Sequence, residues 1–294
     1  MKILVITDGQ SYTSQYVSTL LAQGHDVYVQ TQRTTQQVTQ GRSLTIDLFH
    51  LSEVQYAMSE MSLVVIIGDP IRSYTQLTQA NRYARAKLVY DNLARAISGS
   101  EVQHVLIIQR HLDQILSSIL RAYDVPMSYK QAHFLKWSLR GSVIRPVMNE
   151  RHTVRSIQNL TIPEGMSMDG VLSMYGRFLK TLNGRLINGV YDGRYFTIML
   201  SLFRIPLIRM EHIHAYRTPS HAEMKITGGL LVAKGMRQSR FELRRMKHSP
   251  TQCVIALHDF VPRLPWHLYR MTQAPVHVAV SMLFRKYWER FNRA

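Results

Sequence analysis

The sequence predicts an α/β protein, with a doubly wound parallel sheet over residues 1–150 followed by a smaller α+β domain over residues 151–294. Three observations carry this. Short apolar runs alternate with helix-spaced segments through the first 135 residues. Beyond them the pattern changes to strand-like pieces in which apolar and polar side chains alternate. The chain then closes on a long amphipathic segment, 274–293. With 294 residues and 46% hydrophobic content, it is long enough for one large domain or two ordinary ones with a core.

Each element has its own signal. KILVIT (2–7) is a short apolar run, as in a strand buried on both faces. SQYVSTLLAQG (14–24) sets Val17, Leu20 and Leu21 at helix spacing and stops at Gly24. DVYVQT (26–31) and LTID (44–47) are the second and third strands, joined by the polar loop 31–43. LSEVQYAMSEM (51–61) is a helix with Ser52 as its cap, and SLVVIIG (62–68) is the fourth strand. A long helix spans 78–100, VQHVLIIQ (102–109) is the fifth strand, 111–124 is a helix, and the sixth strand begins at 125. Strands separated by helices imply right-handed crossovers and a parallel sheet. In the second half, 168–187 reads as a helix, and YFTIML (195–200), GLLVAK (229–234), SRFELRRM (239–246) and QCVIALHDF (252–260) read as strands. In the final helix Pro275 suits the first turn. Val280, Phe284, Tyr287, Trp288 and Phe291 recur at helix spacing, with Arg285, Lys286, Glu289, Arg290 and Arg293 mostly on the other side.

Composition narrows the class. Cys253 is the one cysteine, so no intramolecular disulfide forms, and a reducing cytoplasm is the expected compartment. The apolar run after Lys2 is too short for a signal peptide, and no run reaches the roughly 18 residues of a membrane span. The net charge is +17, and residues 204–294 hold 16 basic and 5 acidic side chains. Such an excess attracts nucleic acid, anionic membranes or acidic ligands.

The pieces MKILVIT, LLAQGHDVYV, IDLFHLSEVQYAM, SLVVIIG, QHVLIIQ and ILRAYDVPMSYKQAHFL stand in an order and spacing that resemble the NmrA-like group of atypical short-chain dehydrogenases. These are Rossmann-fold proteins that bind NAD(P), and the resemblance covers a little under half of the chain. In that family the turn after the first strand reads T-G-x-x-G-x-x-G. Counted back from Gly24, its glycines fall on Thr7, Gln10 and Thr13, all replaced, with Gly9 left between two of them. Those glycines permit positive φ, let the backbone approach a pyrophosphate, and let the helix pack close to the strand. Asp8 places a negative charge where the anion of a bound nucleotide sits, and an Asp there can cap the helix in place of a ligand.

The resemblance implies a set of nucleotide contacts. Asp8, Gly9, Gln10, Ser11, Tyr12 and Thr13 form the phosphate loop, while Gln32 and Arg33 stand where the 2′-phosphate of NADP is met. Asp47 and Leu48 match the pair that borders the adenine, and Gly68, Ile108 and Gln109 line the strand ends. NADP is the expected cofactor. The family's catalytic Lys position falls on Asp113, with no Tyr before it in that helix. His111 reads as a cap or surface residue, and Tyr129 with His133 has Tyr-x-x-x-Lys spacing inside the sixth strand. No catalytic residue is therefore assigned.

In the second half, MRQSRFELRRM and TQCVIALHDFVPRLPWHLYRMTQAPVHVAVSMLFRKYWERF resemble the C-terminal part of helix-grip, START-like modules, in which a curved sheet wraps a final helix around an apolar cavity. Arg240, Arg244, Arg245 and Lys247 lie in a stretch patterned as an exposed strand and are candidate contacts to an anionic partner, nucleic acid or membrane surface. EHIH (211–214) puts His212 and His214 on one strand face without a third ligand at fixed spacing, so no metal is expected. Cys253 reads as a small buried residue.

Three functions are expected from these signals. The first is a degenerate NAD(P)-binding protein acting as an NADP-dependent oxidoreductase or a redox sensor, with hydride passing near Gln109 to a small apolar substrate. The second is a non-enzymatic regulatory or scaffold protein whose basic surface binds an anionic partner. The third is a hydrophobic-ligand carrier that uses the C-terminal domain.

Overall fold

The computed structural model describes residues 1–8, 11–31, 37–71, 77–132, 144–145, 152–182, 186–234 and 239–291. The chain forms two compact units, Met1–Tyr74 with Arg85–Asn149, and Thr75–Ala84 with Glu150–Ala294.

The first unit runs β1 (Lys2–Thr7), α1 (Ser11–Ala22), β2 (Asp26–Thr31), β3 (Gln37–Val38), β4 (Arg42–Thr45), α2 (Leu51–Met58) and β5 (Leu63–Ile67). Beyond a segment that belongs to the second unit and holds β6 (Leu77–Gln79), it continues with α3 (Arg82–Ser98), β7 (His104–Gln109), α4 (Gln114–Ala122), β8 (Met127–Gln131) and β9 (Ile144–Arg145). Six strands form one sheet in the order β4-β2-β1-β5-β7-β8. Every pairing is parallel. Within this sheet that is the doubly wound order 3-2-1-4-5-6, whose direction reverses between β1 and β5. The central strands are apolar on both faces because both faces are buried. Ile3 and Val5 pack with Val17 and Leu20 of α1, while Leu4 and Ile6, on the opposite face, are also fully buried.

The second unit holds β6, β10 (Val154–Thr161), α5 (Met168–Thr181), β11 (Ile187–Tyr191), β12 (Tyr195–Leu200), β13 (Ile205–His212), β14 (His221–Gly228), β15 (Arg240–Met246), β16 (Ser249–Phe260), α6 (Trp266–Met271) and α7 (Gln273–Phe291). Its sheet has the order β11-β12-β13-β14-β15-β16-β10-β6. Neighbours are antiparallel except β10 and β6, which are parallel. Phe178, Phe284 and Trp288 of α5 and α7 share one core with Phe196, Met224 and Leu243 of the sheet. Helix α5 crosses β11 at a pair of glycines. A Cβ on Gly176 would stand 2.9 Å from the Gly189 carbonyl, and a Cβ on Gly189 would stand 2.8 Å from the Gly176 Cα. Backbone-to-backbone contact of this kind excludes any side chain at either position.

Several expectations are corrected. The helix expected from residue 78 starts at Arg82, because Leu77–Gln79 pair with Val154–Ser156 as a strand instead. Ser52 does not cap α2. The helix is preceded by His50, Ser52 Oγ lies 3.2 Å from His50 Nε2, and Glu53 accepts from the Asp47 amide at 2.9 Å. Residues 229–234 are a turn, not a strand: the Leu230 and Leu231 amides donate to Pro206 and Leu207 carbonyls, and Val232 makes a single bridge to Pro262. His214 opens a short 3-10 turn, His214–Tyr216, so it does not continue the face of His212.

Candidate functional site

In a doubly wound sheet the carboxyl ends of the strands at the reversal point form the ligand site. Here those ends are Thr7 and Asp8 after β1, Gly68 and Asp69 after β5, and Gln109 at the end of β7. Four of the expected residues, Gly9, Gln10, Gln32 and Arg33, lie outside the described residues. Ser11 and Tyr12 open α1. Thr7 and Thr13, which stand at two of the family's glycine positions, are both buried, and their hydroxyls meet at 2.9 Å. Helix α1 is thus held to β1 by a side-chain hydrogen bond where the family uses glycine contact.

Asp8 reaches across to the next strand. Its Oδ2 accepts from the Asp69 amide at 3.2 Å, and the carboxylate lies directly over Gly68. Gly68 has φ +76°, and a Cβ there would stand 2.6 Å from Asp8 Cγ. The Gly68 amide donates to the Ile108 carbonyl at 3.0 Å, and its carbonyl accepts from Gln109 Nε2 at 2.7 Å. Gln109 Oε1 in turn accepts from the Asp113 amide at 3.0 Å. Asp8, Gly68, Ile108 and Gln109 are therefore brought together, joined to one another by the chain's own polar groups.

Asp47 and Leu48 follow β4, two strands away from β1. Asp47 Oδ1 accepts from the Phe49 amide at 3.0 Å, closing an Asx turn. Leu48 is wholly buried, and its carbonyl accepts from Asn92 Nδ2 at 2.9 Å.

The position of the family's catalytic Lys has a structural role. Asp113 is the N-cap of α4, its Oδ1 accepting from Ile115 and Leu116 amides at 2.9 and 3.3 Å. Its Oδ2 accepts from the Tyr90 hydroxyl at 3.0 Å. Tyr129 donates to the Gln109 and Arg110 carbonyls at 3.1 and 3.2 Å, and His133 lies outside the described residues.

The basic stretch of β15 is not an exposed strand. Arg240 and Arg244 are 5% and 0% exposed, on the sheet face turned away from the α5–α7 core. Arg240 pairs with Glu223 and Asp259, each at 3.6 Å, and Arg244 pairs with Glu242 at 3.1 Å. Glu242 also takes His221 and His258 Nε2 at 3.2 Å each. Burial works to raise the Glu242 carboxyl, but Arg244 and the two histidines hold it well below its usual range. Burial pushes His258 down to about 4. Arg245 is half-buried and donates to the Pro250 and Met166 carbonyls, while Lys247 is exposed.

A second polar cluster escaped sequence reading. The Tyr191 hydroxyl lies 2.9 Å from His212 Nε2 and accepts from Arg217 Nη2 at 3.2 Å. Arg217 also pairs with Asp169 at 2.7 Å, and His212 stands 3.6 Å from the same carboxylate. Burial, reinforced by Asp169, pushes Tyr191 up to about 12, and burial lowers His212. The cluster ties the first turn of α5 to the ends of β11 and β13. Only the EHIH spacing pointed toward it, and that spacing named the wrong second histidine. Burial pushes the Cys253 thiol up to about 12, so it is an inert core residue. Among the described residues, no group of three or more His, Cys, Asp or Glu could hold a metal ion, and no helix is long and apolar enough to cross a membrane.

No family model matches the chain. The chain is similar to the auxiliary protein GraX of Staphylococcus aureus, with 23% identity over 282 residues spanning 93% of this chain and 89% of GraX. Among solved structures it is similar to a Staphylococcus aureus nucleoside-diphosphate-sugar epimerase, at 17% identity and TM-score 0.34, over 44% of this chain and 49% of that one. It is similar to the Bordetella bronchiseptica enzyme WbmG in complex with NAD, at 17% identity and TM-score 0.33, over 45% of this chain and 52% of that one. The Citrobacter sp. triphenylmethane reductase complexed with NADP(H) matches at 10% identity and TM-score 0.31, over 44% of this chain and 48% of that one. The chain spans about half the length of these structures.

Proposed function

We propose that the protein is a non-enzymatic auxiliary protein whose first unit keeps the architecture of a dinucleotide-binding domain and uses it as a scaffold. The observation that carries this is Asp8. Its carboxylate lies over Gly68 and takes the Asp69 amide at the point where the strand order reverses. A pyrophosphate approaching that point meets a fixed negative charge and an amide already paired, and both oppose an anion. The paired hydroxyls of Thr7 and Thr13 stand where glycines would make the tight turn and let the helix pack close to the strand. Among the described residues the Asp8 contact opposes a nicotinamide dinucleotide, and no hydride step is derived from them. Asp113, engaged as a helix cap, points the same way. Similarity along nearly the whole chain to a protein named as auxiliary supports the reading.

The experiment is thermal unfolding of the full chain with NADPH, NADP and NAD at millimolar concentration. A ligand far above its dissociation constant adds a few kcal/mol of stability, about 2.7 kcal/mol at a hundredfold excess. The expected result is an unchanged midpoint with all three. A rise with NADPH or NADP overturns the reading and restores an NADP-binding protein that uses Arg33.

The carrier reading has one observation in its favour. The succession β10, α5, β11 to β16, α7, with β10 beside β16, resembles a helix-grip module. Between its sheet and helices lies a cluster of rings. Tyr175, Phe178 and Trp288 lie 4.9, 5.1 and 5.9 Å from Phe284, centroid to centroid. Close packing of this kind favours a structural role for the second unit.

A further inference from the structure

Helix α7 carries a face that the reading above does not use. Val276, Ala279, Leu283, Lys286 and Arg290 recur at alternating spacings of three and four, which places them on one side of the helix. That side is turned away from the buried Phe284 and Trp288, and all five residues are exposed. Val276, Leu283 and the adjacent Met282 are 59%, 46% and 56% exposed, and Met271, just before the helix, is 79% exposed. The stripe is apolar in its first half and cationic in its second. Helix α5 adds further cations. Its Phe178 packs on Phe284 and Tyr287 at 5.1 and 5.4 Å, and its Arg177 and Lys180 are exposed. The acids of the two helices are Asp169 and Glu289, and both are taken up by arginines, Arg217 at 2.7 Å and Arg285 at 3.6 Å.

We propose that this face docks on an anionic lipid surface. Val276, Met282 and Leu283 enter the boundary between headgroups and acyl chains, while Lys286, Arg290, Arg177 and Lys180 meet lipid phosphates. This division of labour is that of an interfacial helix, in which apolar area and basic charge add. A second copy fits less well. Parallel pairing along the stripe sets Lys286 against Lys286, and antiparallel pairing buries Lys286 and Arg290 against Val276 and Ala279 without an acid to neutralise them. A nucleic acid gives the exposed Met and Leu side chains nothing apolar to enter.

The test is sedimentation of the full chain with vesicles of phosphatidylcholine alone and of equal parts phosphatidylcholine and phosphatidylglycerol, at low and high salt. Binding is expected to the mixed vesicles and not to phosphatidylcholine, and to weaken with salt. The double variant Lys286→Gln with Arg290→Gln is expected to lose about tenfold or more in vesicle affinity. Met282→Ser with Leu283→Ser is expected to lose on the order of tenfold. All four side chains are exposed, so both variants should melt at the wild-type temperature. Failure of the wild type to sediment with mixed vesicles overturns the proposal, as does equal binding to phosphatidylcholine. Unchanged binding in both variants overturns the assignment to this face. A concentration-dependent dimer abolished by Met282→Ser with Leu283→Ser overturns it in favour of a second copy.

Discussion

Asp8 and Gly68 act as a pair. Gly68 sits at φ +76°, and the space a Cβ would need is held by the Asp8 carboxylate. Gly68→Ala is expected to cost about 2 kcal/mol or more, from the left-handed backbone and from the displaced carboxylate. Removing the carboxylate with Asp8→Ala should make that substitution cheaper. A double-mutant cycle by urea unfolding checks this, and strict additivity would sink the pairing. Asp113→Ala is expected to cost about 1–2 kcal/mol through the lost cap, while Asp113→Asn keeps most of the stability. Equal losses in the two variants would argue against the cap. The sequence set Asp8 beside the N-terminus of the first helix, where an Asp can cap the helix in place of a ligand. It could not reveal that the carboxylate reaches Asp69, 61 residues away, because that contact exists only once β1 and β5 pair.

Helix α7 shows how an element joins local pattern to long-range contact. Its aromatic stripe was legible as spacing, and the structure puts Trp288 fully inside the core of the second unit. Trp288→Ala is expected to cost about 3–5 kcal/mol, measured by chemical unfolding. Near the start of the same helix, His277 Nδ1 lies 2.8 Å from Gln79 Oε1, and Gln79 Nε2 donates to the Ala274 carbonyl at 2.9 Å. Burial lowers His277 from 6.5 to about 4, and His258 likewise. Their folded pKa lies below the unfolded one, so the unfolded chain binds these protons first. Stability is then full above about 6.5 and falls as pH drops toward about 4. The melting midpoint should fall across that window, and His277→Gln, which does not titrate, should flatten the slope. A midpoint that rises on acidification would refute the assignment. Two residues of β6, Thr78 and Gln79, were read as the start of a helix. Their extended form comes from the edge of β10.

At the scale of the whole molecule, the two units are interleaved in sequence, since residues 75–84 interrupt the first and complete the second. A fragment of residues 151–294 keeps β10 but loses β6, which leaves the Val154–Ser156 edge unpaired. Such an edge invites association between chains. The fragment is expected to aggregate more than a version carrying residues 75–84 on a linker, as measured by sedimentation velocity. Equal behaviour would mean that β6 contributes little. The basic excess also looks different at this scale. Arg240 and Arg244 read as surface charge, but they are interior ion-pair partners. The cations that do face solvent lie elsewhere, on the helix layer and at residues such as Lys247.

The sequence by itself determined the alternation of strand and helix in the first unit, the apolar central strands, and the loss of the glycine turn. Each is a matter of local spacing or residue type, which the chain carries before it folds. It also determined the apolar face of the final helix, since periodicity of 3.6 survives any packing partner. The tertiary structure alone decided the order of the second sheet, whose short mixed-polarity strands are stabilised by neighbours rather than by propensity. It decided as well which charges are buried. A strand that alternates charged and apolar residues reads as half-exposed, yet in β15 both faces are covered, and the arginines are tolerated there because Glu223, Glu242 and Asp259 stand within ion-pair reach.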